Sequence, residues 1–341
     1  MPIKKLLGMV FALLLAGQLL ATDVVLNPDH PDQYVVVKGD TLWDISTMFL
    51  RDPWLWPEVW HVNPQIENPH LIYPGDILTL IYIDGKPQLR LSRGDLKLSP
   101  RIRVESLDNA IPTIPLDAIK QFLTRAIVVD EHELDTAPYV LQSADEHVVS
   151  GAGDRVYVRG IEGRDHALFD IFEPGDAYID PDTSEVLGYA ALYMGSGPVQ
   201  SFGDPATILL TDTTQEVRAG HRLRPSENLD PALHFQPHPT PPDTEGHIIS
   251  VIGGVTQIGQ FNVVAIDLGT REGMEVGHVM RIFQTGEVIR DRFSDKRLDK
   301  VKLPDEEAGL VMIFRTFEKV SFGLVMTATS ALHINDFVRT P

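Results

Sequence analysis

All four tryptophans of this 341-residue chain, Trp43, Trp54, Trp56 and Trp60, lie between positions 43 and 60. The chain has no cysteine, so a small module built there has no disulfide staple and must close around large apolar anchors. The local pattern supports such a module. Gln33 to Val37 alternates and reads as a strand, and Gly39-Asp40 turns the chain. Thr41 is a helix N-cap with Asp44 three residues on, which is a short capping box. Leu42, Ile45 and Phe49 then share one helical face, and Asp52-Pro53 breaks the helix. Pro57 suits the first turn of a second helix with Trp56, Val59 and Trp60 inward, ended by Asn63-Pro64. Tyr73-Pro74-Gly75-Asp76 is a turn, and Ile77 to Ile81 a closing strand. The expected order is strand, helix, helix, strand (βααβ) over residues 33–82. Trp43 and Trp60 sit at helical spacings and are expected in the core. Trp54 and Trp56 are left open to ligand or partner contact.

The N-terminus reads as an export signal. Lys4 and Lys5 precede the apolar run Leu6 to Leu15, and Ala21 is a small residue suited to cleavage before Thr22. Residues 1–21 are therefore expected to be removed in export to a bacterial periplasm. The formal charge is -19, and removing Lys4 and Lys5 leaves 27 basic residues against 48 acidic. A nucleic-acid partner is excluded on that balance, since phosphate backbones are held by basic stripes.

After the first module, residues 83–109 are expected to form a connector, with Lys86 to Val104 as strands or extended chain. A short helix is expected from Leu116 to Leu123, after Pro115. The remainder is β-rich, with turn residues every eight to twelve positions. It carries a weak internal repeat. Arg155–Arg159 matches Asn262–Ile266, Asp170–Gly175 matches Arg281–Gly286, Leu187-Gly188-Tyr189 matches Ala308-Gly309-Leu310, and Ser201-Phe202-Gly203 matches Ser321-Phe322-Gly323. Two related β-domains are expected, residues 110–230 and 247–341, joined by a proline-rich linker over 231–246. The fold class is thus α+β: a small βααβ module followed by a β-rich region.

Three motifs of the first module stand in one order: Gly39-Asp40-Thr41-Leu42, Asn63-Pro64-Gln65-Ile66 and Pro74-Gly75-Asp76-Ile77-Leu78. Here the sequence resembles the LysM family. The segment Arg51 to Pro57 departs from the family, being longer and more aromatic than its usual inter-helix link. The resemblance implies a shallow groove that binds N-acetylglucosamine-containing peptidoglycan glycan. Its lips would be Gly39, Asp40, Thr41 and Leu42 on one side and Asn63, Pro64 and Ile66, within the segment Asn63 to Ile66, on the other, with Ile72 as a further binding residue. Thr41 reads equally as a cap alone or as a cap that also meets sugar. Asn63 reads as a helix terminator or a ligand contact, and Ile66 and Ile72 as partly core.

No catalytic, metal or cofactor motif is found. Gly151-Ala152-Gly153 reads as a β-turn, Asp130 to Glu133 as a solvated turn, and His234 with His238 as an accidental pair. Two functions are weighed: a non-catalytic anchor, and a LysM-targeted cell-wall hydrolase. The first is favoured, because a cysteine nucleophile and recognisable zinc-ligand spacings are missing and the C-terminal part is β-rich. Asp52-Pro53-Trp54-Leu55-Trp56-Pro57 within a LysM segment resembles the type IV pilus secretin-associated proteins. Val263 to Gly269 and Gly273 to His278 resemble the C-terminal domain of the flagellar T-ring protein. Ile114 to Ile119 and Ala137 to Val140 are similar to the same group. This resemblance implies a periplasmic, cell-wall-associated partner of an outer-membrane secretin, with several copies around the secretin ring.

Overall fold

The structure is a computed structural model. It describes residues 24–60, 72–92, 111–115, 118, 119, 122, 126–144, 147–226, 235–252, 257–286, 288–290, 293 and 300–341. The chain divides into two compact units, Met1–Ala110 and Ile111–Pro341.

In the first unit, β1 (Gln33–Val35) leads to α1 (Leu42–Phe49), a 3-10 turn (Pro53–Leu55), α2 (Trp56–Val59) and β2 (Ile77–Ile83). The capping box forms as the residue types require. Thr41 Oγ1 accepts from the Asp44 N–H at 3.1 Å, and Asp44 Oδ2 accepts from the Thr41 N–H at 3.2 Å. Pro57 lies in the first turn of α2, where its missing N–H is unneeded. Trp43, Ile45, Phe49 and Leu50 are buried to 2 % exposure or less and form the core. Trp54 and Trp56 are buried with them, at 5 % and 3 %. They fill the interior of a domain too small to close on aliphatic residues alone. Trp60, in contrast, is half-buried and meets Trp56 edge-on at 6.2 Å.

The expected connector begins inside this unit. Asp84-Gly85, both at positive φ, turn the chain from β2 into β3 (Lys86–Ser92), which pairs antiparallel with β2 along its whole length. Leu89 and Leu91 are buried, and Leu89 bridges to Trp60. The sheet runs β1-β2-β3. Residues 93–109 of the connector lie outside the described residues.

The second unit is built on two closed rings of strands. Ala118, Ile119 and Phe122 are helical, as expected after Pro115. The first ring contains β5 (Tyr139–Ser143), β6 (Arg155–Arg159), β7 (Leu168–Ile179), β8 (Val186–Ser201), β9 (Ala206–Leu209) and β11 (Arg222–Pro225). Pairing runs β5-β6-β9-β8-β7-β11 and closes on β5. Outside it, β4 (Ala126–Val129) and β10 (Asp212–Thr213) pair with β8, and α3 (Glu133–Thr136) precedes β5.

The second ring contains β13 (Glu245–Ile252), β14 (Val263–Ile266), β15 (His278–Gln284), β18 (Glu306–Thr316), β19 (Ser321–Ala328) and β20 (Phe337–Arg339). It pairs β13-β14-β19-β18-β15-β20 and closes on β13, the same order. Even the β-bulge recurs, after Val140 in β5 and after Ile248 in β13. Aliphatic side chains fill both rings: Val140, Val156, Val158, Ile171 and Leu223 in the first, Ile248, Val264, Ile266, Ile282 and Val338 in the second.

Strand pairing corrects four expectations. Aligned on the shared bulge, Val158 corresponds to Ile266 and Tyr157 to Ala265, so the match of Arg155–Arg159 with Asn262–Ile266 is off by one residue. Phe322 lies opposite Ala265, whereas the corresponding place opposite Tyr157 is held by Thr207, so the Ser-Phe-Gly match is out of register. Gly309 lies opposite Ile282 as Gly195 lies opposite Ile171, so Gly188 is not its counterpart. The proline-rich stretch is also no free linker at its C-terminal end. His238–Pro239 form β12, parallel to β15, and Glu245 already belongs to β13. Pro239 sits on the sheet's outer strand, where a missing N–H is tolerated. Among the described residues no helix is long and apolar enough to cross a membrane.

One turn recurs in both units. The side chain of its fourth residue accepts from the backbone N–H of the first, and the third residue takes positive φ. Asp40 closes it on Val37, Asp76 on Tyr73, Asp154 on Gly151, Asn262 on Gly259 and Asp336 on His333. His221 closes it on Arg218 and His278 on Glu275. The fourth side chain pins the turn so that the next strand or helix starts in a defined direction.

Candidate functional site

The loop between β1 and α1 holds the first lip expected of the groove. Gly39 is exposed at φ +102°, with open space where a Cβ would stand. The loop therefore presents bare backbone to solvent at this point. Asp40 is committed to the loop itself. Its Oδ2 accepts from the Val37 N–H at 2.9 Å and from the Tyr34 hydroxyl at 2.9 Å. Burial first, and then that hydrogen bond to Asp40, raise the Tyr34 pKa above its ordinary value. Thr41 is buried, and its hydroxyl also donates to Asp44 Oδ2 at 2.7 Å, so capping occupies it.

Leu42 and Ile72 are core residues, at 3 % and 0 % exposure. They shape the site from beneath. Asn63, Pro64 and Ile66, the other lip, lie outside the described residues. The structure thus brings Gly39 to the surface, uses Asp40 and Thr41 to hold the loop, and buries Leu42 and Ile72.

Two residues ahead of Gly39 in the chain, outside the expected groove set, are also exposed. Val35 and Val37 are about half exposed, at 51 % and 52 %. The alternation of Gln33 to Val37 carried that signal, since Val36 between them is buried. Apolar side chains next to exposed backbone suit an acetamido sugar, which has an apolar face and amide groups that want backbone partners.

Within the second unit, three titratable clusters stand out. His247 Nδ1 lies 2.9 Å from Asp267 Oδ2, and its backbone N–H donates to Asp267 Oδ1 at 2.6 Å. Burial raises the Asp267 pKa, and the bonds from His247 oppose that rise. The far nitrogen of His247 faces a carboxylate, Asp182 Oδ2 at 3.9 Å, across the two rings. That approach sets the β7–β8 turn of the first ring against the second.

His238, Glu275 and His278 bring their potential ligand atoms within 4.8 Å of one another. The Glu275 N–H donates to His278 Nδ1 at 3.0 Å, so this nitrogen closes the turn. A neutral ring used in this way carries its proton on Nε2, which leaves that nitrogen no lone pair for a cation. The third cluster is Glu185, which accepts from Lys319 and Arg271 of the second ring at 2.7 and 3.1 Å. Those bonds, Lys319 before Arg271, lower its pKa.

Residues 34–80 match the LysM domain family. They are a LysM domain, whose presence implies binding of peptidoglycan or a similar N-acetylglucosamine-containing carbohydrate. Among curated proteins, the chain is similar to "Uncharacterized protein YqbP" of Bacillus subtilis (strain 168). The two are 38% identical over 60 residues, which is 15% of this chain and 27% of that protein.

Proposed function

We propose that this chain is an exported, non-catalytic wall anchor, periplasmic and associated with the cell wall. Its LysM domain holds glycan, and its second unit holds an outer-membrane secretin complex, that of type IV pili, with copies arranged around the secretin ring. The observation that carries the reading is the division of the chain. A LysM domain at residues 34–80 sits in one compact unit, and residues 111–341 form another. The motifs Val263 to Gly269 and Gly273 to His278 support the second half of the reading. So does the common pairing order of the two rings, which we take as two copies of one unit.

Physically, one small exposed loop holds a neutral sugar weakly. Copies held around a multimeric partner would turn weak sites into firm attachment through effective concentration. The test is co-purification with secretin multimers. The chain without residues 24–92 should keep the secretin and lose purified sacculi. A chain cut back to residues 24–92 should do the reverse. Capture of secretin by the LysM unit alone, with none by residues 111–341, would sink the division of labour.

A further inference from the structure

The two rings carry the same hairpin with different fates. In the first, β7 and β8 run beyond the ring to a last pair, Ile179 with Val186. The turn between them lies on the second ring. Glu185 meets Arg271 and Lys319, Asp182 approaches His247, and Tyr178 lies edge-on to Phe322 at 6.5 Å. In the second ring, β15 and β18 hold the corresponding place, and the chain again continues outward. There β16 (Val288–Arg290) pairs with β17 (Lys300–Lys302) as a two-stranded ribbon. Arg290 follows Ile282 by the same count of residues as Ile179 follows Ile171. Yet every residue of this ribbon is exposed, with Val288 at 62 %, Val301 at 44 % and Phe293 beyond them at 98 %. The second hairpin reaches as far as the first; at its base Lys302 lies over Phe337 of its own ring at 5.6 Å, and beyond that its described residues rest on no ring.

Its chemistry says what belongs there. Pairing puts Ile289 opposite Val301, and Arg290 opposite Lys300, with Lys302 on the same face but already paired with Asp305 at 3.0 Å. Like charges directly opposite destabilise a ribbon unless an anion lies over them. Among the described residues neither Arg290 nor Lys300 has a carboxylate partner. Residues 288–302 carry six Lys and Arg against three Asp, whereas residues 126–226, which contain the first ring, carry 18 Asp and Glu against six Arg.

The loops agree. On the second ring, the acidic turn is received by Arg271, after β14, and Lys319, between β18 and β19. On the first ring, the loop after β6 exposes Glu162 and Asp165, and the loop between β8 and β9 exposes Asp204. Asp204 is paired there with Arg159 at 2.8 Å, and Arg164 stacks over Phe202 at 5.6 Å. The loop after β6, with Glu162 and Asp165 against Arg164, thus reverses the sign found at Arg271, as the hairpin does, while Asp204 in the other loop is already balanced by Arg159.

We propose that the β16–β17 ribbon docks on the first ring of a second copy of this chain. It would repeat between copies the contact that the β7–β8 hairpin makes within one. The two surfaces differ, so the association is head-to-tail and can extend beyond a dimer. It stands apart from the secretin reading, because copies that assemble could anchor any envelope complex.

Sedimentation velocity of the chain without residues 1–21 tests it, at loadings from about 1 to 100 µM. The mass should rise with concentration and fall back in about 0.5 M salt, where exposed charges are screened. Arg290→Gln with Lys300→Gln should weaken assembly about tenfold or more, and so should Glu162→Gln with Asp165→Asn. Each variant keeps one sound face, so mixing the two should give a one-to-one dimer that grows no further. Four results would overturn the proposal: a parent chain that stays monomeric, a ribbon variant that assembles like the parent, variants that fail to complement, or ribbon-dependent binding to anionic phospholipid vesicles in place of self-assembly.

Discussion

The LysM unit and the paired rings use one turn device toward different ends. In the LysM unit, Asp40 pins a turn that leads into the capped helix α1 and leaves Gly39 bare at the surface. In the rings, the same device launches strands whose side chains disappear into aliphatic cores. The small unit closes on tryptophans and leaves its β1–α1 loop exposed. The large unit closes on itself by strand pairing and projects its hairpins. On the function proposed above, ligand binding belongs to a loop in one unit, and partner binding to ring surfaces in the other.

The largest effect that would break this comparison concerns where the small unit ends. A fragment of residues 24–82 lacks β3, and with it the buried Leu89 and Leu91. Burial of two leucines is worth about 3–6 kcal/mol, comparable to the whole stability of so small a domain. Denaturant melts should show residues 24–92 folding cooperatively and residues 24–82 not. Equal stability of the two would remove β3 from the unit. Next in size, Trp43→Ala should cost about 3–5 kcal/mol in the LysM unit. In a melt of the whole chain followed by near-UV circular dichroism, the transition of residues 111–341 should stay in place. A single transition that shifts as a whole would mean the units do not unfold independently.

The smallest effect is in acid. His221 and His278 accept a backbone N–H through Nδ1, at 3.3 and 3.0 Å. Burial lowers both pKa values. Glu173 and Arg218 face His221 with opposite effects, while at His278 the neighbour His238 adds to the lowering and Glu275 opposes it. A folded pKa below the unfolded value of about 6.5 gives stability that is full above that pH. It is lost as pH falls through the folded value. The isolated rings should therefore melt at lower temperature at about pH 5.5 than at pH 7.5. His278→Asn, which keeps an acceptor as Asn262 does in its own turn, should flatten that slope. An unchanged slope in this variant would deny the turn its pH dependence.

Much of the LysM unit was legible because its signals are local. Thr41 with Asp44, Pro57 in a first turn, and Tyr73 to Asp76 each act within four residues, and the structure uses them as read. Asp84-Gly85 was an equally local signal for the β2–β3 hairpin, and it went unread behind the charged alternation that follows. The burial of Trp54 and Trp56 was not legible, since a tryptophan in an unusual segment looks the same whether it meets sugar or core. In the rings, turn residues every eight to twelve positions read as a β-rich region, but closure depends on long-range pairs such as Ile248 with Ile266. The repeat was visible in composition and misplaced in register, because bulges shift spacing between strands. The candidate site was half legible: the motif located the loop and the Thr41 cap, but not that Asp40 pins the turn or that Val35 and Val37 stand exposed ahead of it.

The most direct measurement of the central claim is co-sedimentation with purified sacculi, comparing residues 24–92 with residues 111–341. Residues 24–92 should pellet with the wall material, and moving from about 50 mM to 500 mM salt should change the bound fraction little, because a neutral sugar offers no charge to screen. Residues 111–341 should stay in solution. Pelleting of residues 111–341 while residues 24–92 remain in the supernatant would contradict the account.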